Sequence, residues 1–311
     1  MIARYAHLHR FPSVFLSLTG LRLTEFTALL PDILPAFAAA EVARHARADR
    51  QRAPGGGPSF ELDGRDQILL TIVWLRQYFT QPVLGWLFGV SDSTVSRVIA
   101  RVLPLLEAAG RDAMRMPDPG CRKRRTFDDL VADLPEIFVV IDSFEQEVQR
   151  PLERSEADRW YSGKKKMHTI KSQVVVNGHT GEICDTSTSV RGPTADITLL
   201  KDSQILERVP EGVGREGDLA YVGIDGLPGG AGGATPRRKP RGKERPAEDI
   251  AYNRAFAQRR IIVEHSIGRM RRYQALSAPD REHRARHAAR TAAVAGLVNR
   301  QLRNRDGRLA A

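Results

Sequence analysis

Five consecutive apolar residues, Ile137-Phe138-Val139-Val140-Ile141, run directly into an aspartate, Asp142. A short run that is apolar at every position and rich in β-branched residues has no polar face to offer water. It therefore reads as a strand buried within a sheet. A carboxylate at the end of such a strand is costly to bury unless a cation or hydrogen-bond donors answer it. That junction commits the second half of the chain to a sheet-centred fold with a charged group at the border of its core.

The first 110 residues read differently. Residues 11–50 suggest short helices punctuated at Thr24 and Pro31, and Ala53-Pro54-Gly55-Gly56-Gly57-Pro58 reads as a loop. Ile68, Leu69, Ile72, Val73, Leu75 and Phe79 recur at helical spacing across Gly64–Phe79. A shorter helix is predicted over Gln81–Phe88 and a third from Asp92 to Leu106, capped by Ser91 or Asp92. Residues 110–135 read as loop and carry the basic run Arg122-Lys123-Arg124-Arg125. After the strand at 137–142, Thr169–Val176 and Glu182–Val190 flank Asn177-Gly178-His179-Thr180-Gly181, a hairpin signal. A helix follows at Asp196–Leu206, a strand at Gly212–Asp218, and a Gly-, Pro- and Arg-rich mobile loop at 226–247. Helices from about Asp249 to Tyr273 and Arg284 to Arg303 close the pattern. The expected organisation is a helical region at 1–110, a linker at 111–135, an α/β domain at 136–280 and a basic helix at 281–311.

The net charge is +11 and the pI about 10.1, a balance suited to a polyanionic partner. Cys121 and Cys184 show neither CxxC nor zinc-ligand spacing and read as free thiols in a reducing cytoplasm. Phe11–Leu34, broken by Pro12 and Pro31 and carrying Arg22, Glu25 and Asp32, reads neither as a signal peptide nor as a membrane span. The expectation is a soluble intracellular protein.

Two further acids share the character of Asp142. Asp218 follows a short strand within Gly217-Asp218-Leu219-Ala220-Tyr221, and Glu264 lies in an arginine-dense helix with Arg260 at i−4 and Arg271 at i+7 on one face. Two strand-end aspartates and a helix glutamate offer the hard oxygen donors that two-metal phosphoryl transfer needs, with Mg²⁺ or Mn²⁺ as the ions. A surface charge or salt bridge is the commoner fate of any one acid. Asp196 competes with Asp218; it reads as a helix start, where a carboxylate is a good cap, so Asp218 is preferred and Asp196 assigned a supporting place. His168 and His265 are candidates to orient a carboxylate or phosphate.

In the helical region, Leu84, Leu87, Phe88, Val90, Val95, Val98 and Ile99 form the buried set of a helix-turn-helix, with Gly89 at the turn. Ser93, Thr94, Ser96, Arg97 and Arg101 are then available to a DNA groove, although an ordinary packed helix pair would show the same pattern. Lys164, Lys165 and Lys166 suit phosphate contact, as do Arg260 and Arg271. From Arg259 onward 13 arginines stand against 4 acids, which predicts a DNA-facing surface.

Several segments taken in order resemble a known family. Tyr161-Ser162-Gly163-Lys164-Lys165-Lys166-Met167-His168-Thr169-Ile170-Lys171 resembles the segment after the first catalytic aspartate in bacterial DDE transposases of the insertion-sequence-five group, relatives of the PIF/Harbinger transposases. Gly192-Pro193-Thr194-Ala195-Asp196, Gly217-Asp218-Leu219-Ala220-Tyr221, Lys239-Pro240-Arg241-Gly242, Tyr252-Asn253-Arg254 and Val263-Glu264-His265-Ser266-Ile267-Gly268-Arg269 resemble that group's later elements. Ser143, Ala195 and Ala220 depart from the group's usual residues. The resemblance implies a ribonuclease-H-like catalytic domain, a mixed sheet flanked by helices, in which Asp142, Asp218 and Glu264 hold two divalent ions. It implies binding of terminal inverted repeats, cleavage at transposon ends and strand transfer into target DNA by a homo-oligomer in the bacterial cytoplasm, associated with the nucleoid. A domesticated DNA-binding descendant, or a ribonuclease-H-like nuclease without strand transfer, is the alternative.

Overall fold

The computed structural model describes residues 3–46, 62–120, 134–305 and 307. The expected loop at 53–58, the basic run at 122–125 and Cys121 lie outside the described residues. The chain divides into two compact units: Met1–Ala113 with Arg272–Leu276 and Ala292–Ala311, and Met114–Arg271 with Ser277–Thr291. The expected C-terminal segment at 281–311 is therefore shared between the units rather than standing alone.

The described part of the first unit is helical: α1 (Tyr5–Leu8), α2 (Pro12–Thr19), α3 (Leu23–His45), α4 (Gly64–Gln77), α5 (Gln81–Phe88), α6 (Asp92–Ala113) and the later turns of α10 (His287–Arg305). Every residue of α4 from Asp66 to Leu75 is buried, which makes it the central helix. Asp63 caps it, its carboxylate accepting the Asp66 N–H at 2.8 Å. The expected short helices around Pro31 are instead one helix of 23 residues, α3, which runs through Pro31 and Pro35. Both prolines are exposed, while Phe26, Leu29, Leu30 and Ile33 are buried. Four such side chains gain about 1.5–3 kcal/mol each, enough to offset about 3 kcal/mol per interior proline. By length and composition α3 could cross a membrane. It is nevertheless bound into the unit by charge: Asn304 donates to Glu25 at 2.8 Å, and Arg300 pairs with Asp32.

α5 and α6 meet at Gly89, whose φ of +68° lies in the left-handed region. Leu84, Phe88, Val95, Val98 and Ile99 are buried, and Leu87 and Val90 half-buried. The helix-turn-helix geometry is present, and α6 continues beyond the predicted Leu106 to Ala113.

The second unit is built on a seven-stranded mixed sheet in the order β2 (Tyr161–Ser162), β3 (Met167–Asn177), β1 (Phe138–Glu147), β6 (Gly214–Gly217), β7 (Gly233–Ala234), with β4 (Ile183–Thr186) and β5 (Val190–Arg191) also paired to β3. β1 runs antiparallel to β3 and parallel to β6, and β6 parallel to β7. The helices α7 (Arg154–Trp160), α8 (Asp196–Ser203) and α9 (Ala247–Met270) accompany it. Val139, Ile141, Val175, Leu200, Leu206 and Tyr221 share one core cluster, and α9 packs on β1 and β3. This is the α/β domain, a mixed sheet with helices, that the resemblance implied.

Three expectations need correction. The strand expected to end at Asp142 continues to Glu147, because burial switches there from continuous to alternating, with Phe144 and Gln146 inward. Asp142 is thus a mid-strand residue. The strand expected over 182–190 divides into β4 and β5, after a loop in which the Asn177 side-chain oxygen accepts the N–H groups of His179 and Thr180. The late arginines are not a uniform outer surface. Arg259 grips buried Glu216, Arg290 grips buried Asp280, and Arg260 lies 3.6 Å from Asp142.

Candidate active site

The site is organised by the pairing of β1 with β6. Ile141 registers with Gly217, the last residue of β6, so the residues that follow them, Asp142 within β1 and Asp218 just beyond β6, come near enough for the charge of Asp218 to act on the Asp142 carboxyl. The Asp142 carboxylate accepts the Ser143 N–H at 2.7 Å, and Asp218 accepts the Ala220 N–H at 2.8 Å as the cap of a 3₁₀ turn at Leu219–Tyr221. That turn folds Tyr221 back into the core. A Cβ on Gly217 would stand 2.6 Å from the Tyr221 side chain, which is why glycine precedes the aspartate. The buried Tyr221 hydroxyl accepts from the Gln173 amide at 2.8 Å.

Burial pushes the Asp142 carboxyl up from 3.8 to about 6; the Ser143 N–H and Arg260 oppose the rise, and Asp218 and Asp196 add to it. Negative charge is therefore concentrated where strands β1 and β6 deliver it.

A cleft of about 310 Å³ opens beside Asp142. Glu264 lines it from α9, together with Gly268 and Arg271 on the same helix face, and Lys164, Lys165 and Lys171 line it as well. Glu264 itself is exposed. Asp218 does not line this cleft; it follows Gly217, the strand partner of Ile141, and acts on Asp142 by charge. Asp196 lines the cleft but is already engaged: the Ser143 hydroxyl donates to it at 2.7 Å and the Lys171 ammonium stands at 2.9 Å. Its side chain makes no cap to α8, contrary to expectation. Lys171, buried, also donates to the Thr194 carbonyl at 2.6 Å and lies 3.8 Å from Glu145. Sequence reasoning missed this Lys171–Asp196–Glu145 cluster. Its only signal was a lysine within the strand expected at Thr169–Val176; Glu145 lay beyond the end expected for β1.

The remaining candidates divide. Lys166 is exposed outside the cleft lining, in a turn where its N–H bonds the Ser162 carbonyl at 2.7 Å. His168 is half-buried with its ring against Tyr161, and His265 is exposed; neither lines the cleft. In the helical unit Ser93, Ser96 and Arg97 are exposed and Thr94 half-exposed at the start of α6. The Arg97 guanidinium folds back to the Ser93 carbonyl at 3.0 Å. Arg101 points the other way, to Glu41 at 3.2 Å and Gln67 at 3.1 Å, which makes it a packing residue rather than a groove contact.

Could these carboxylates hold divalent ions? Among the described residues no three His, Cys, Asp or Glu side chains are gathered closely enough to cage an ion as they stand. The donor chemistry fits nonetheless. Asp142 and Asp218 are adjacent oxygen donors with accumulated negative charge, and Glu264 faces the same cleft as Asp142. Arg260 supplies the nearest positive charge that Asp142 now has.

Comparison with known proteins agrees with this architecture. The family model described as DDE superfamily endonuclease matches residues 141–299, a span that takes in all three acids. The chain belongs to the DDE superfamily endonucleases. The model described as helix-turn-helix of DDE superfamily endonuclease matches residues 60–112 of this endonuclease-family chain, covering α4, α5 and nearly all of α6. It is also similar to the Probable transposase for insertion sequence element IS702 of Microchaete diplosiphon, at 28% identity over 253 residues, covering 81% of this chain and 85% of that protein. No solved structure matches.

Proposed function

We propose that this endonuclease-family chain is a DNA transposase of the insertion-sequence-five, PIF/Harbinger-like kind. It binds the terminal inverted repeats of its element, cuts there and joins the freed end to target DNA. The observation that carries the reading is that Ile141 and Gly217, the residues before Asp142 and Asp218, are paired across parallel strands, and that Asp142 and Glu264 line one cleft with lysines and an arginine. When bound to these three carboxylates, Mg²⁺ or Mn²⁺ supplies polarisation of the scissile phosphate and stabilisation of the leaving oxygen. Lys164, Lys165 and Arg271 neutralise and orient the phosphate backbone, and the start of α6, with Ser93, Thr94 and Arg97, reads the repeat. The transposase works as a homo-oligomer on nucleoid DNA in the bacterial cytoplasm.

The test is cleavage of DNA carrying the ends of the gene's own flanks, with and without Mg²⁺ or Mn²⁺. Asp142→Ala, Asp218→Ala and Glu264→Ala should each abolish cutting and leave end binding largely intact. Wild-type-like nicking by any one of them removes that residue from the site. A DNA-binding descendant that no longer cuts is the second reading, favoured by the Arg260 contact on Asp142. Metal-dependent nicking by the wild-type protein excludes it.

A further inference from the structure

Residues 237–243 hold five cations and no acid: Arg237, Arg238, Lys239, Arg241 and Lys243. All five are exposed. The sequence predicts a mobile loop here, yet its base is clasped to α9. The Asn253 side chain accepts the Arg237 N–H at 2.7 Å and donates to the Arg237 carbonyl at 3.0 Å. The Arg237 guanidinium is engaged by the same helix, 3.1 Å from Asp249 and 4.3 Å above the Tyr252 ring, which stacks on Phe256. The next residue, Arg238, donates to the carbonyl of Leu219 at 3.4 Å, immediately after Asp218. Beyond it, Pro240–Lys243 closes a turn, the Lys243 N–H reaching the Pro240 carbonyl at 3.5 Å. Gly242, at φ +71°, takes the left-handed position that such a turn demands.

Cations crowded this closely repel one another, and ordering a backbone costs about 1–2 kcal/mol per residue. A clasp that keeps them together beside Asp218 prepares a surface for a dense polyanion. Duplex DNA, with one charge per about 1.7 Å of axis, has the matching density. Lys164, Lys165 and Arg271 already serve the cleft that Glu264 lines, so this loop supplies positive charge on the Asp218 side.

We propose that the 238–243 loop is a clamp on the phosphate backbone of a DNA duplex lying across the site, and that Asn253 is its positioning residue. The choice of DNA rests on the function proposed above. The test is the salt dependence of binding, which requires no cutting. Affinities of the full chain for a random-sequence duplex are measured between 50 and 200 mM salt for wild type, for Asn253→Ala, and for Lys239→Ala, Arg241→Ala and Lys243→Ala combined. Three lost phosphate contacts should lower the slope of log K against log salt by about 2.7, shrinking the affinity loss across that range about 40-fold. Asn253→Ala, with every cation in place, should lose part of that slope. An unchanged slope in the triple variant overturns the clamp. A reduced slope in the triple variant, with Asn253→Ala indistinguishable from wild type, overturns the positioning role. Slope loss in a protein that never cuts would sink the catalytic reading and leave the clamp standing; normal cutting with an unchanged slope would do the reverse.

Discussion

Asp142→Asn should make the metal-free protein more stable while removing its activity. Burial holds the Asp142 carboxyl at about 6 against an ordinary 3.8, even after the help it receives from Ser143 and Arg260. A rise of roughly 2 units corresponds to roughly 3 kcal/mol of destabilisation once the group is ionised. The sign follows from proton binding. Below pH 4 both folded and unfolded chains carry the proton, and the residue costs nothing. Between about 4 and 6 the folded chain keeps a proton that the unfolded chain releases, so stability falls as pH rises. Above 6 the full penalty stands. Asparagine retains an oxygen for the Ser143 N–H, carries no charge, and gives up only a 3.6 Å contact with Arg260.

Urea unfolding in EDTA should therefore show the variant ahead by about 2–3 kcal/mol at pH 8, with the gap closing towards pH 4. Adding Mg²⁺ or Mn²⁺ should close most or all of that gap, because an ion bound only by the folded wild type at 100 times its Kd adds about 2.7 kcal/mol. A variant no more stable than wild type in EDTA at pH 8, or a gap constant from pH 4 to 8, would refute the reasoning. Either result would mean that Asp142 is not the strained charge the geometry describes.

Arg97→Ala should weaken binding to the element's ends more than to random duplex; equal loss on both, read by anisotropy, makes Arg97 a phosphate contact only. Lys171→Ala leaves Asp196 and Glu145 without their shared buried cation. Unfolding should then show about 3–5 kcal/mol of destabilisation. His287, fully buried between Gln146 and Ser189, is held down to about 3 by burial and by Arg290. As pH falls from 6.5 towards 3 the unfolded chain gains a proton that the folded one refuses, so stability is lost in that window. His287→Gln should flatten this acid loss, and an unaltered pH profile would remove His287 as its cause.

What the sequence made legible followed from periodicity and local chemistry. The boundaries of α5 were read to the residue, because Thr80-Gln81-Pro82 and Gly89 mark a start and a stop that local sterics dictate. The apolar run at 137–141 announced β1 for the same reason. Long-range partners were not legible. Nothing near Pro31 says that α3 will pack on α4 and α6 or that Leu29, Leu30 and Ile33 will be buried, and it is that burial which carries α3 through two prolines. Arginines at 259 and 290 look identical in sequence to Arg271, yet the first two are buried against Glu216 and Asp280 while Arg271 lines the cleft. Their carboxylate partners are supplied by the fold. The anchoring of the 226–247 loop at Arg237 was not legible for the same cause, since its clasp residue, Asn253, lies beyond it on a helix.

The partners also bear on which aspartate stands beside Asp142 in the chemistry. Asp196 is held by a lysine and a hydroxyl, and a carboxylate so engaged must break both before it can serve an ion. Asp218 is held only through one oxygen by a backbone N–H among the contacts described, which leaves its second oxygen the better donor. The Ser143 hydroxyl completes the hold on Asp196. Lys171 answers the charge of that aspartate and Ser143 fixes its carboxylate, which leaves Asp142 and Asp218 as the less engaged pair. Arg259, five residues before Glu264 on α9, is locked to Glu216 in β6, two residues before Asp218, so the helix that carries Glu264 is tied to the strand that leads into Asp218.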